Sequence, residues 1–125
     1  MALVALGEKG NFFHVYDFRV KPGKGDDFIR QFDEFDYSDA NPMHKSKAQV
    51  KDGVLCRDIN DPDHFYLLGE WRDVKAHAEI LVKVAAMRPE FVALVEGGPA
   101  KFKPIYAEVV SSTPQNLLDK ASAAE

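Results

Sequence analysis

Residues 12–20 read Phe12-Phe13-His14-Val15-Tyr16-Asp17-Phe18-Arg19-Val20, and Lys21-Pro22-Gly23-Lys24-Gly25 follows directly. The first run alternates with period two, as a half-buried strand requires. Phe12, His14, Tyr16, Phe18 and Val20 share one face, while Asp17 and Arg19 take the other. Pro22 cannot donate to a ladder and the glycines permit a tight turn, so the strand ends there. Behind the turn the period changes. Phe28, Ile29, Phe32 and Phe35 recur as one helical stripe over about 26–37. Asp26 and Asp27 suit the positive end of that helix dipole, and Asp33, Glu34 and Asp36 are expected to lie mostly towards water.

The rest of the chain extends this strand–helix unit. Residues 38–46 have no period, and Asn41-Pro42 marks a loop. A second strand is expected over about 47–59, bent or bulged at Asp52-Gly53. Asn60-Asp61-Pro62-Asp63 is a turn signal, and a third strand over 64–72 completes an antiparallel hairpin. A second helix over about 73–85 opens on Asp73 as N-cap. Arg88-Pro89 interrupts it, a short helix runs on to about 95, and Gly97-Gly98-Pro99 closes that segment. The last strand is expected over about 101–110, with Pro104 demanding an edge position or a bend. The order β-α-β-β-α-β specifies an α+β, ferredoxin-like split unit: one antiparallel sheet with both helices on one face. The bare face is expected to be buried against a second copy of the chain. One domain, 12–110, is thus flanked by a turn-rich leader, 1–11, and a polar tail, 111–125, which is either disordered or holds a short helix near 114–121.

Composition narrows the function. The chain has 125 residues, 46% hydrophobic and 29% charged, typical of one globular domain. Its net charge is −4 and its lysines are not clustered, which disfavours nucleic acid as a partner. The single Cys56 cannot form an internal disulfide, which fits a reducing cytoplasm. The first residues lack a basic flank and their apolar run stops at Gly7, too short for a signal peptide. No apolar run approaches the roughly 20 residues of a membrane helix. A cytoplasmic protein is expected.

Three segments resemble a known family. They are Phe18-Arg19-Val20-Lys21-Pro22-Gly23-Lys24-Gly25 with Phe28, then Gly53-Val54-Leu55-Cys56-Arg57-Asp58 with Asp61-Pro62 and Phe65, and Glu70-Trp71-Arg72-Asp73 with Ala76. In that order and spacing they resemble the antibiotic biosynthesis monooxygenase domain over about residues 12–109. The resemblance implies a dimeric α/β barrel, a homodimer with its sheets face to face and a ligand pocket in each subunit between helices and sheet. The family includes cofactor-independent monooxygenases of aromatic polyketides and quinols, haem-degrading enzymes and proteins of unassigned role. Haem-degrading members use an Asn on the first strand and a Trp and a His along the helical region. The matching places here hold Tyr16, Ile80 and Phe91, so the resemblance does not extend to haem degradation. Many quinol-type members carry a His on the helix after the Trp, where this chain has Ile80. Anthrone-type members have a pocket Tyr near the place of His77, which His77 could replace.

The candidate catalytic residues are His77 and Tyr16. An imidazole has an ordinary pKa near working pH, so His77 could take a proton from a phenol, and a rim or surface histidine is the plain alternative. Tyr16 could hold a substrate oxygen. His14 shares its face, and a buried His and Tyr need either a ligand or hydrogen-bond partners. The candidate substrate-binding residues are His14, Trp71, Leu67 and Phe32. Trp71 lies on one face with Phe65, Leu67 and Gly69 and offers either a flat aromatic wall or core packing, and Gly69 leaves space beside it. His44 and His64 lack ligand spacing, Asp61 and Asp63 do not make a calcium loop, and no metal or other cofactor is expected. Two functions follow: a cofactor-independent monooxygenase of a small aromatic, phenolic or quinol compound, or a non-catalytic small-molecule-binding or assembly dimer. Convergence of His14, Tyr16 and His77 on one cavity separates them.

Overall fold

Four strands, β1 (Phe12–Arg19), β2 (Gln49–Arg57), β3 (His64–Trp71) and β4 (Pro104–Glu108), form one sheet in the order β2-β3-β1-β4, antiparallel throughout. Helices α1 (Gly25–Asp36) and α2 (Val74–Met87) complete the ferredoxin-like order, and a third helix, α3 (Gln115–Ala123), follows the sheet. The structure, a computed structural model, describes residues 3–123. Residues 1–2 of the leader and 124–125 of the tail lie outside the described residues. The chain is an α+β, ferredoxin-like fold.

The alternation of β1 sets the layers. Phe18 on its even face packs against Phe28 of α1 and Phe65 of β3, with ring centroids 5.2 and 6.0 Å apart. Phe28 also meets Phe32 and Phe91, and Val20 and Val95 close the cluster. The entry to α1 is fixed from across the hairpin. The Asp63 carboxylate accepts from the backbone N–H groups of Gly23 and Gly25, each at 3.0 Å. A Cβ at Gly25 would stand 2.3 Å from the Pro62 carbonyl oxygen, so this close approach demands glycine. Asp73 caps α2 as its sequence position indicates, accepting from Lys75 N–H at 2.9 Å.

The β2–β3 register shifts twice, between Gln49 and Lys51 and between Lys51 and Val54, so Asp52-Gly53 lies in a bulge, as expected. Other elements differ from expectation. Residues 42–45 form a 3₁₀ helix, Pro42–Lys45, capped by the Asn41 side chain. After Arg88, in the left-handed region at φ 49°, Glu90–Leu94 and Pro99–Lys101 are 3₁₀ helices. The last strand is therefore shorter than expected and starts at Pro104, where a missing N–H costs least.

The bare face carries a row across all four strands, Ile105–Val15–Leu68–Val54. Its ends are open: Ile105 is 66% and Val54 55% exposed. Glu70 also points to this face by alternation, yet it is buried. The leader crosses above it, where Glu8 N–H and the Asn11 amide donate to Oε2 at 2.8 and 2.9 Å and Lys51 Nζ stands 3.7 Å from Oε1. Burial pushes the Glu70 carboxyl up, but these bonds and Lys51 outweigh it and leave it below the ordinary value. No helix of the described residues is long and apolar enough to cross a membrane.

Candidate functional site

Between the even face of β1 and the helices lies a cavity of about 70 Å³. Its sheet-side wall is His14, Tyr16 and Leu67, and His77 comes in from α2. Phe32, Val84, Phe91 and Phe102 make the apolar sides. Asp36, Asn41, His44 and Asp52 stand at its polar end. Space of this size holds a few waters, since one needs roughly 10–15 Å³. His14, Tyr16 and His77 thus converge on one cavity, together with Leu67 and Phe32.

Two linked hydrogen-bonded groups build the polar wall. His77 is 1% exposed, with Nε2 3.4 Å from Tyr16 Oη and Nδ1 2.9 Å from Tyr106 Oη. Its ring stacks on His14, centroids 4.5 Å apart. His14 in turn accepts from the Trp71 indole, Nε1 to Nδ1, at 2.8 Å. Because the indole can only donate, Nδ1 must present its lone pair, and the proton of neutral His14 sits on Nε2. That Nε2 is buried and has no hydrogen-bond partner among the described residues. Trp71 itself is fully buried behind His14 and is absent from the cavity lining, so its flat face is spent on packing and its N–H on orienting His14.

Burial sets the charge states. It pushes His14 down to about 3, with His77 beside it adding to the effect, and pushes His77 down to about 4. The near-neutral imidazole expected for His77 from its residue type is therefore displaced: both rings are neutral at neutral pH. Burial, and then Tyr106 beside it, push the Tyr16 phenol well up, so Tyr16 keeps its proton.

Gly69 supplies the space for this stack. A Cβ there would meet His14 Cε1 at 2.6 Å and Gly53 Cα at 3.3 Å. The gap beside Trp71 is filled by the His14 ring. Gly69→Ala is accordingly expected to destabilise the fold by about 1–3 kcal/mol, as overpacked interiors do. Urea unfolding measures the loss, and the Trp71 indole proton resonance should shift as its bond to His14 is disturbed. An unchanged midpoint and resonance would contradict the arrangement.

The sequence did not reveal the polar end of the cavity. Asp36 turns inward instead of towards water, accepting from the Asn41 amide at 3.1 Å and lying 3.2 Å from His44 Nε2. Burial raises its carboxyl above the ordinary value against the opposing pull of His44. His44 Nδ1 is 3.0 Å from Asp52 in the bulge. Asn41-Pro42 signalled only a loop, and nothing local showed that it folds back onto α1. Tyr106 was equally hidden, although alternation from Pro104 would have placed it on the helix side. Among the described residues no group of three or more His, Cys, Asp or Glu is arranged to hold a metal ion. A wider depression of about 500 Å³ lies between leader and tail beside Glu70, whose carboxylate the leader already engages.

No protein-family model and no curated protein matches the chain. Solved structures do. A candidate antibiotic biosynthesis monooxygenase from Bordetella bronchiseptica superposes with a TM-score of 0.53 at 20% identity, over 85% of this chain and 97% of that one. Another from Chloroflexus aurantiacus gives 0.52 at 19%, over 84% and 98%. A conserved protein from Methanosarcina mazei gives 0.56 at 13%, over 84% and 92%. The chain thus has the fold seen in structures of the antibiotic biosynthesis monooxygenase kind.

Proposed function

We propose that the protein is a cofactor-independent monooxygenase of a small aromatic, phenolic or quinol compound, bound in the His14–Tyr16–His77 cavity. The observation that carries this reading is the meeting of two neutral histidines and a protonated tyrosine beside the aromatic, apolar sides of one cavity. Phe32 and Leu67 flank the ring of the substrate, and Tyr16 holds its oxygen. His77, a neutral imidazole at neutral pH, takes up the phenolic proton through the Tyr16 hydroxyl bonded to its Nε2. The phenolate so formed is electron-rich enough to reduce oxygen itself, and the protein supplies orientation and a dry site. The likeness in fold to candidate monooxygenases supports the same reading. The non-catalytic alternative leaves unexplained why His14, Tyr16 and His77 meet beside the apolar sides of the cavity.

Binding tests the reading first. Trp71 is the single tryptophan and touches His14. 4-Nitrophenol, which absorbs where tryptophan emits, is expected to quench Trp71 saturably. Leu67→Trp would fill the cavity, so in that variant the NMR shifts of His14 and His77 on adding 4-nitrophenol should disappear. No saturable quenching in the wild type would count against a phenol site.

The functional unit we propose is a cytoplasmic homodimer built on the bare sheet face, with 12–110 as the dimerising domain. The Ile105–Val15–Leu68–Val54 row is the apolar surface such a contact needs. Sedimentation at micromolar concentration is expected to give twice the 14.0 kDa chain mass, with an interface above about 1,000 Å². Val54→Asp should shift it to monomer. A wild-type protein sedimenting only as monomer would remove the dimer.

A further inference from the structure

Tyr106 joins the cavity wall to the outside. It sits on the edge strand β4, opposite His14 in register, and is 37% exposed, whereas Tyr16 is 2% and His77 1% exposed. Tyr16 lines the cavity and Tyr106 does not. Between them His77 offers one ring nitrogen to each hydroxyl, at 3.4 and 2.9 Å. An imidazole can accept a proton at one nitrogen while releasing one from the other.

We propose that Tyr16, His77 and Tyr106 form a proton relay between the cavity and solvent, with Tyr106 as its outer end; its use in turnover rests on the phenol reading above. Among the described residues His77 Nε2 is the one hydrogen-bond partner of the Tyr16 hydroxyl, and in the relay that hydroxyl donates to it. Neutral His77 then carries its proton on Nδ1 and donates to Tyr106 Oη, which donates to water. A phenol bound at Tyr16 Oη sets the line in motion. Its O–H bond breaks as an O–H bond forms on Tyr16, the Tyr16 proton passes to Nε2, the Nδ1 proton passes to Tyr106, and the Tyr106 proton passes to water. Four bonds to hydrogen break and four form. The ligand is left as phenolate, one hydronium appears outside, and His77 ends as its other neutral tautomer. No electron moves, and the reverse sequence delivers a proton to a product oxyanion. A relay also suits the buried ring, where an imidazolium would be a poor resting place for the proton.

The test needs no substrate. Tyrosine labelled with ¹³C at Cζ, in mixed light and heavy water, reports hydroxyl exchange with solvent through the deuterium isotope shift. The buried Tyr16 hydroxyl is expected to exchange about 10²-fold faster in the wild type than in Tyr106→Phe, the low end of what a positioned proton-transfer group contributes. The Tyr66 hydroxyl, bonded to Asp58, serves as internal reference and should not change. Phe keeps the ring of Tyr106, and an unchanged amide spectrum would show the fold intact. Equal Tyr16 exchange in both proteins, or slowing shared by Tyr66, would overturn the relay. If exchange slows at Tyr16 alone while 4-nitrophenol fails to quench Trp71, the relay stands and the phenol reading falls.

Discussion

His77→Ala is expected to lower turnover of a phenolic substrate by about 10²–10⁴-fold, the usual contribution of a positioned acid–base group. Among the described residues, the variant removes the only group that hydrogen-bonds both Tyr16 and Tyr106 and can accept a proton while neutral. Burial pushes His77 down to about 4, so its imidazole is a far weaker base than a phenolate and cannot hold the proton for long. Its value lies in geometry, with a lone pair on the cavity side and an exit behind it. Tyr16→Phe cuts the same proton line at its cavity end and leaves the substrate oxygen unpaired, so its loss should be comparable. Circular dichroism would check that both variants fold. An unchanged rate in folded His77→Ala would remove His77 from the mechanism.

Stability should fall as pH drops from 6.5 towards 4. The unfolded chain protonates His14 and His77 at the ordinary 6.5, while the folded state resists until about 3 and about 4. In that window the unfolded state binds more protons, so stability rises with pH and levels off above 6.5. Each histidine contributes up to about 1.4 kcal/mol per pH unit, so together they make a loss of several kcal/mol by pH 4.5. Glu70 acts only below its ordinary 4.5, so it adds little over the interval from pH 6.5 to 5. Urea midpoints over that interval should fall steeply in the wild type and more gently in His77→Gln. Parallel curves would contradict the buried, neutral state of His77.

Much of the fold was legible because its signals are local. The alternation of 12–20, the turn at 60–63, the Asp73 cap and the bulge at Asp52-Gly53 each follow from neighbouring residues. The cavity wall was legible for the same reason, since His14 and Tyr16 share the face that carries Phe18. What escaped depends on contacts distant in sequence. Glu70 is buried because the leader, about sixty positions away, lies across it. Asp36 turns inward because Asn41 and His44 fold back upon it. Trp71 orients His14 across the β1–β3 ladder, which alternation alone does not show. The pKa values were the least legible, because residue type gives the ordinary value and only burial gives the shift.

Oxygen uptake tests the central claim most directly. A panel of phenols, hydroquinones and anthrones would be incubated with the protein in air-saturated, chelator-treated buffer while dissolved oxygen is followed. At least one compound is expected to be consumed faster with the wild type than in buffer, with that increment lost in His77→Ala. An increment that survives in His77→Ala, or no increment with any member of the panel, would contradict the account.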